Sequence, residues 1–115
     1  MRRITTHVLD TAAGRPAAGL KVILTRLEGG AQVIADTVTN ADGRCDRPLL
    51  EGAAFKRGRY EIVFHVGDYF RAGGVTLPEP PFLDLVPLRF GVSEDAHYHV
   101  PLLVSPYAYS TYRGS

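Results

Sequence analysis

The sequence predicts an all-β fold, an eight-stranded antiparallel β-sandwich with one short helix, and three observations lead there. Twelve glycines and eight prolines are spread along the chain with short apolar runs between them, the punctuation of a domain with many turns. Several of those runs alternate apolar and polar residues, the period-two pattern of half-buried strands. The 115 residues suffice for one compact domain, residues 1–115, because single domains cluster near ~100 to 150 residues.

The strands are predicted in order. Ile4 to Asp10 reads as the first, stopped by Thr11-Ala12-Ala13-Gly14-Arg15-Pro16. Leu20 to Leu27 is the second, with Leu20, Val22 and Leu24 alternating against Lys21, Ile23 and Thr25, and Gly29-Gly30 turns it into a third from about Gln32 to Thr39. The Asp42-Gly43 pair suits a tight turn with positive φ, and a short fourth strand is expected from Arg44. Tyr60 to His65 is the fifth, with Tyr60, Ile62 and Phe64 on one face. Asp68 as N-cap and Gly73-Gly74 as terminator place a short helix near residues 68–73. After the Pro78-Glu79-Pro80-Pro81 loop come Leu83 to Val92, His97 to Ser105 and Tyr107 to Arg113.

Composition narrows the functions. The chain is 45% hydrophobic and 22% charged, with 13 Lys and Arg against 12 Asp and Glu, so it is neither disordered nor strongly enough charged to grip nucleic acid or anionic lipid. No eighteen apolar residues run together, so no membrane span is expected. Cys45 is the single cysteine, and Met1-Arg2-Arg3-Ile4-Thr5-Thr6-His7 lacks the apolar stretch of a signal peptide. A cytoplasmic, reducing location is the expectation.

The strand from His97 to Ser105 carries an anomaly, since apolar residues occupy both of its faces. Tyr98, Val100, Leu102 and Val104 line one; His97, His99, Pro101, Leu103 and Ser105 line the other. A face mixing histidines with Pro and Leu is better covered by another subunit than by water, which predicts a dimer or higher oligomer.

Four features could carry chemistry: His7, Arg44, the pair His97 and His99, and the tail from Ser110 to Ser115. Each has a plain structural reading, as a surface or satisfied core histidine, a solvated turn arginine, or a frayed end. Histidines two apart share one strand face, as metal ligands or an acid/base pair would, but without a clear third ligand they make a weak zinc signal. Cys45 beside a turn reads as packing, and no G-x-S-x-G elbow, phosphate loop or carboxylate pair is present. If the protein is an enzyme, histidines and arginine must carry it. A small-ligand carrier and a protein-interaction module are the competing classes.

Taken together, His7-Val8-Leu9-Asp10 with Gly14-Arg15-Pro16-Ala17, Thr39-Asn40-Ala41-Asp42-Gly43-Arg44, His97-Tyr98-His99-Val100-Pro101-Leu102-Leu103-Val104-Ser105-Pro106, and the closing Tyr109-Ser110-Thr111-Tyr112-Arg113-Gly114-Ser115 resemble the signatures of the transthyretin-like family. Within that family they resemble the branch that hydrolyses 5-hydroxyisourate rather than the hormone carriers, which differ at the positions of His7, Arg44 and His99 and in the tail.

The resemblance covers essentially the whole chain and implies a homotetramer, a dimer of dimers, with active sites in a channel between dimers. It implies catalytic roles for His7 and His99 and substrate binding by Arg44, Tyr112, Arg113 and Ser115, with His97 a flanking position of undefined role. Water would attack a ring carbonyl of 5-hydroxyisourate, giving 2-oxo-4-hydroxy-4-carboxy-5-ureidoimidazoline in urate degradation, with no metal or organic cofactor. Two near-neutral imidazoles suit the proton transfers, the Arg44 fork suits a flat urea-like ring edge, and the Ser115 carboxylate is expected to orient a histidine. The alternative is a transthyretin-like carrier without catalysis.

Overall fold

The computed structural model describes residues 1–115. Nine strands and one helix follow in the order β1 (Arg3–Asp10), β2 (Arg15–Pro16), β3 (Lys21–Arg26), β4 (Gln32–Val38), β5 (Leu50–Glu51), β6 (Gly58–His65), α1 (Val66–Ala72), β7 (Leu85–Val92), β8 (His97–Ser105) and β9 (Ala108–Thr111). They form two sheets. One runs β2-β1-β8-β9 with β5 added beside β1; the other runs β4-β3-β6-β7. Period-two alternation is what makes this a sandwich: β1 and β6 each bury every second side chain, and those inward residues meet in a single core of 21 residues. Tyr60, Ile62 and Phe64, placed on one face by the sequence, are all fully buried there.

Three local expectations are corrected. Arg44 opens no strand; it makes only an isolated antiparallel bridge to His7, and the short strand after the turn comes later as β5, paired to the start of β1. Asp68 does not cap the helix. The cap position is His65, with no side-chain hydrogen bond, and Asp68 lies in the first turn, where a carboxylate favours the positive end of the helix dipole. The sandwich is also not antiparallel throughout: β1 and β8 run parallel, with Arg3 opposite His97, Thr5 opposite His99 and His7 opposite Pro101. Parallel neighbours need a long crossover, and the second sheet lies between these two strands in sequence.

That register positions the site. In a parallel ladder, residues facing each other point to the same side of the sheet. Ile4, Val8, Tyr98, Val100, Leu102 and Val104 therefore enter the core, and Thr5, His7, His97 and His99 share the outer face. No helix is long and apolar enough to cross a membrane.

Candidate active site

The outer face of β1 and β8 forms the floor of a cleft of about 490 Å³, closed on one side by the turn that carries Arg44 and on another by the tail. The turn is fixed by Asn40, whose Oδ1 accepts hydrogen bonds from the N–H groups of Asp42 (2.9 Å) and Arg44 (3.2 Å). Gly43 follows with φ +74°, and a Cβ there would meet the Val8 carbonyl at 2.5 Å. Only glycine allows this approach. The Gly43 carbonyl accepts from Val8 N–H at 2.8 Å, which sets Arg44 opposite His7.

The tail is held just as tightly. Gly114 N–H donates to the His99 carbonyl at 2.7 Å, and a Cβ on Gly114 would lie 2.7 Å from the His99 ring. Backbone without a side chain is thus what lets the tail lie over that imidazole. Tyr112, Gly114 and Ser115 line the cleft.

Inside it, four side chains are joined end to end. His7 Nδ1 and His99 Nε2 are 2.9 Å apart, His99 Nδ1 and Thr5 Oγ1 are 2.7 Å apart, and the same Oγ1 is 2.7 Å from His97 Nε2. The His7 and His99 rings stack with centroids 5.2 Å apart. Both ring nitrogens of His99 are therefore taken by protein groups, and the residue is buried.

Burial disfavours the imidazolium form of all three histidines. His99 is pushed down to about 4, first by burial and then by His7, Arg44 and His97. His7 is lowered by burial and by the Arg44 guanidinium, and His97 by burial and then by Arg3 and, more weakly, Arg113. At neutral pH the cleft holds neutral imidazoles beside Arg3, Arg44 and Arg47, with Asp46 opposing them. Such a lining attracts an anionic or strongly polar ligand and supplies bases that are already deprotonated.

The model of one family matches residues 4–114. The chain belongs to the HIUase/Transthyretin family. Among its relatives in that family, 5-hydroxyisourate hydrolase 2 of Rhizobium meliloti is 69% identical, over 98% of this chain and 96% of the relative. Among solved structures, an (S)-allantoin synthase superposes with TM-score 0.93 at 47% identity; the match covers 98% of this chain but 43% of that one, so the chain spans less than half of that protein. Sea bream transthyretin in complex with thyroxine superposes with TM-score 0.84 at 28% identity, covering 96% of this chain and 92% of the other.

Of the residues the sequence singled out, His7, Arg44, His97, His99, Tyr112 and Ser115 come together around this one cleft. Arg113 does not. Strand alternation turns it away from Tyr112 and Gly114, so its guanidinium lies 4.0 Å from the centroid of the Tyr98 ring and donates to the His97 carbonyl at 3.3 Å. There it braces the tail. The expected orienting carboxylate is likewise replaced at His99, whose Nδ1 is held by the Thr5 hydroxyl. The zinc reading fails on geometry: no group of three or more His, Cys, Asp or Glu is placed to hold a metal, because the His99 nitrogens aim at neighbours rather than at a common centre. Cys45 is free and half-buried at the cleft wall, and burial and Asp46 push its thiol upward, away from nucleophilic use.

Sequence reasoning missed Thr5 and Arg3. The signal for both was their parity with His7 in β1, which gains meaning only once β8 is known to be the neighbour.

Proposed function

We propose that this protein hydrolyses 5-hydroxyisourate, opening its ring to 2-oxo-4-hydroxy-4-carboxy-5-ureidoimidazoline in urate degradation, and that it does so with histidines and arginine alone. The observation that carries the reading is the convergence of the neutral, hydrogen-bonded pair His7 and His99 with Arg44 in one cleft, in a chain whose relatives bear that activity in their names.

The chemistry follows from the groups. His7 Nε2 has no protein partner and takes a proton from water as the water oxygen bonds to a ring carbonyl carbon. Charge that gathers on the carbonyl oxygen is met by the Arg44 guanidinium, whose paired donors fit a planar oxygen–nitrogen edge. The ring C–N bond then breaks, the nitrogen receives the proton back from a histidine, and the new carboxyl group ionises. A cleft rich in arginine suits a product that is a carboxylate. Tyr112 and Ser115, which line the cleft from the tail, position the rest of the ring.

A homotetramer, with the cleft at the interface between dimers, belongs to this reading. β7 and β9 each hydrogen-bond to one neighbour only, which leaves both sheets with an edge able to pair with another copy. On β8, Leu103 beside the histidines remains half-exposed in the single chain. A carrier of apolar ligands is disfavoured because the cleft floor is made of threonine, histidine and arginine.

The decisive experiment generates 5-hydroxyisourate from urate with a urate oxidase and follows its ultraviolet decay. Acceleration over the spontaneous decay is expected. A decay rate unchanged by the protein would overturn the proposal.

A further inference from the structure

We propose that Thr5 and His97 complete a proton relay, His7–His99–Thr5–His97, that releases a proton to solvent at the far rim of the cleft when His7 takes one from water, and draws one back there when His7 gives its proton to the leaving nitrogen. The inference rests on the hydrolase reading for its substrate but on geometry for its path.

The path is continuous, with contacts of 2.9, 2.7 and 2.7 Å in sequence, each short enough for proton transfer along a hydrogen bond. A neutral imidazole carries one N–H and one bare nitrogen, and a hydroxyl has one proton to give. With the Thr5 proton placed in either of its two contacts, only two arrangements keep all three rings neutral. In the first, His7 Nδ1 donates to His99 Nε2, His99 Nδ1 donates to Thr5, and Thr5 donates to His97 Nε2; His7 Nε2 is then bare and His97 Nδ1 protonated. In the second, every bond is reversed. His7 Nε2 now carries the proton and His97 Nδ1 is bare.

Passing from the first to the second balances without any charged ring at the end. His7 Nε2 accepts a proton from water, the His7 Nδ1 proton moves to His99 Nε2, the His99 Nδ1 proton to Thr5 Oγ1, and the Thr5 proton to His97 Nε2. One proton leaves His97 Nδ1 to solvent. Return to the first arrangement gives the His7 Nε2 proton to the departing nitrogen and draws one from solvent at His97. The base of the first step is thereby set as the acid of the second.

Two further observations fit a relay better than a mere clamp. Its ends are open: His7 Nε2 and His97 Nδ1 have no protein partner, yet the only buried side-chain polar atom left unpaired in the protein is Arg3 Nε. Its middle is sealed, since His99 is buried and fully bonded. Arg3, Arg44 and Arg113 all stand near these rings and oppose a resident positive charge, so a route that exports the proton removes the main obstacle to using them as bases.

Three variants test it. Thr5→Val keeps shape and removes the hydroxyl, and kcat should fall about 100-fold with KM little changed; Thr5→Ser should return it to within a few-fold. His97→Gln preserves a hydrogen bond to Thr5 but cannot pass a proton on, and should lose about tenfold in kcat, while His97→Ala should be partly rescued by added imidazole. Nitrogen-15 NMR of the histidine rings in the substrate-free protein gives a second readout: the His7 and His99 shifts should move together in Thr5→Val and in His97→Gln. Wild-type kcat in Thr5→Val, or His7 shifts indifferent to His97→Gln, would overturn the relay. If the wild-type protein fails to turn over 5-hydroxyisourate, the function proposal falls, and the NMR arm alone decides the relay.

Discussion

The two faces of β1 and β8 differ by a single residue step and are held by different forces. On the inner face, Ile4, Val8, Leu102 and Val104 are fully buried, and what they require is volume and apolarity. On the outer face, Thr5, His7, His97 and His99 are joined by hydrogen bonds of 2.7 to 2.9 Å, and what they require is direction and protonation state. The same backbone therefore fixes the cleft through a core that tolerates chemical variation, and it presents groups that tolerate almost none. The inner face should govern stability and the outer face activity.

The largest separation of the two is expected from the outer face. His7→Ala, His99→Ala and Arg44→Ala should each lower turnover of 5-hydroxyisourate by two or more orders of magnitude, with thermal midpoints within a few degrees of native; steady-state kinetics beside calorimetry decides this. His97→Ala should do less. If His97→Ala were the more damaging of the two β8 variants, the assignment along that strand would be reversed.

Leu102→Ala is the mirror experiment. Leu102 is fully buried, so its truncation should cost roughly 2–5 kcal/mol, seen as a thermal midpoint lowered by about 10 °C or more. Turnover per folded molecule should stay near native. Loss of activity without loss of stability would mean that the two faces are coupled through the strand.

The tail tests whether the outer face extends beyond β8. Deleting Arg113, Gly114 and Ser115 removes little apolar area, so stability should change by about 1 kcal/mol or less, whereas turnover should fall about tenfold or more because the cover of His99 is lost. Gly114→Ala should reproduce part of this by pressing a methyl group on the His99 ring. Truncated protein as fast as native would reduce the tail to packing.

The smallest effect concerns pH. His99 sits at about 4 in the folded protein against an ordinary 6.5, so between those values the unfolded chain binds the more protons. The stability from keeping this ring neutral is present in full above pH 6.5 and drains away as pH falls toward 4. Denaturant titrations at pH 7 and pH 5 should show native protein losing more stability than His99→Phe. Equal losses would place the acid-labile group elsewhere.

Much of this was legible in the chain. Alternation located β1, β3 and β6, because a strand with one face in a core repeats every two residues whatever its neighbours are, whereas β8 is apolar on both faces and shows no such period. Gly43 after Asp42 marked the turn beneath Arg44, since few residues accept its backbone geometry. Asp68 misled, because an acidic residue in a first turn and one at a cap look alike without the carbonyl pattern. Arg113 was assigned to the cleft with its neighbours by motif, although alternation along the same tail turns it the other way.

The sequence by itself determined the sandwich, the histidine face of β8 and the residue types available for catalysis, because local propensity and hydrophobic period act over a few neighbouring positions. Only the tertiary structure decided that β1 lies beside β8 and runs parallel to it, with Thr5 opposite His99. That pairing joins segments some ninety residues apart, where |i−j| for His7 and His99 is 92. It is selected by how the two sheets close over one core, a property of the whole chain that no local pattern encodes. Thr5 became visible as part of the site for the same reason: a threonine in a strand is ordinary until the fold puts an imidazole on either side of it.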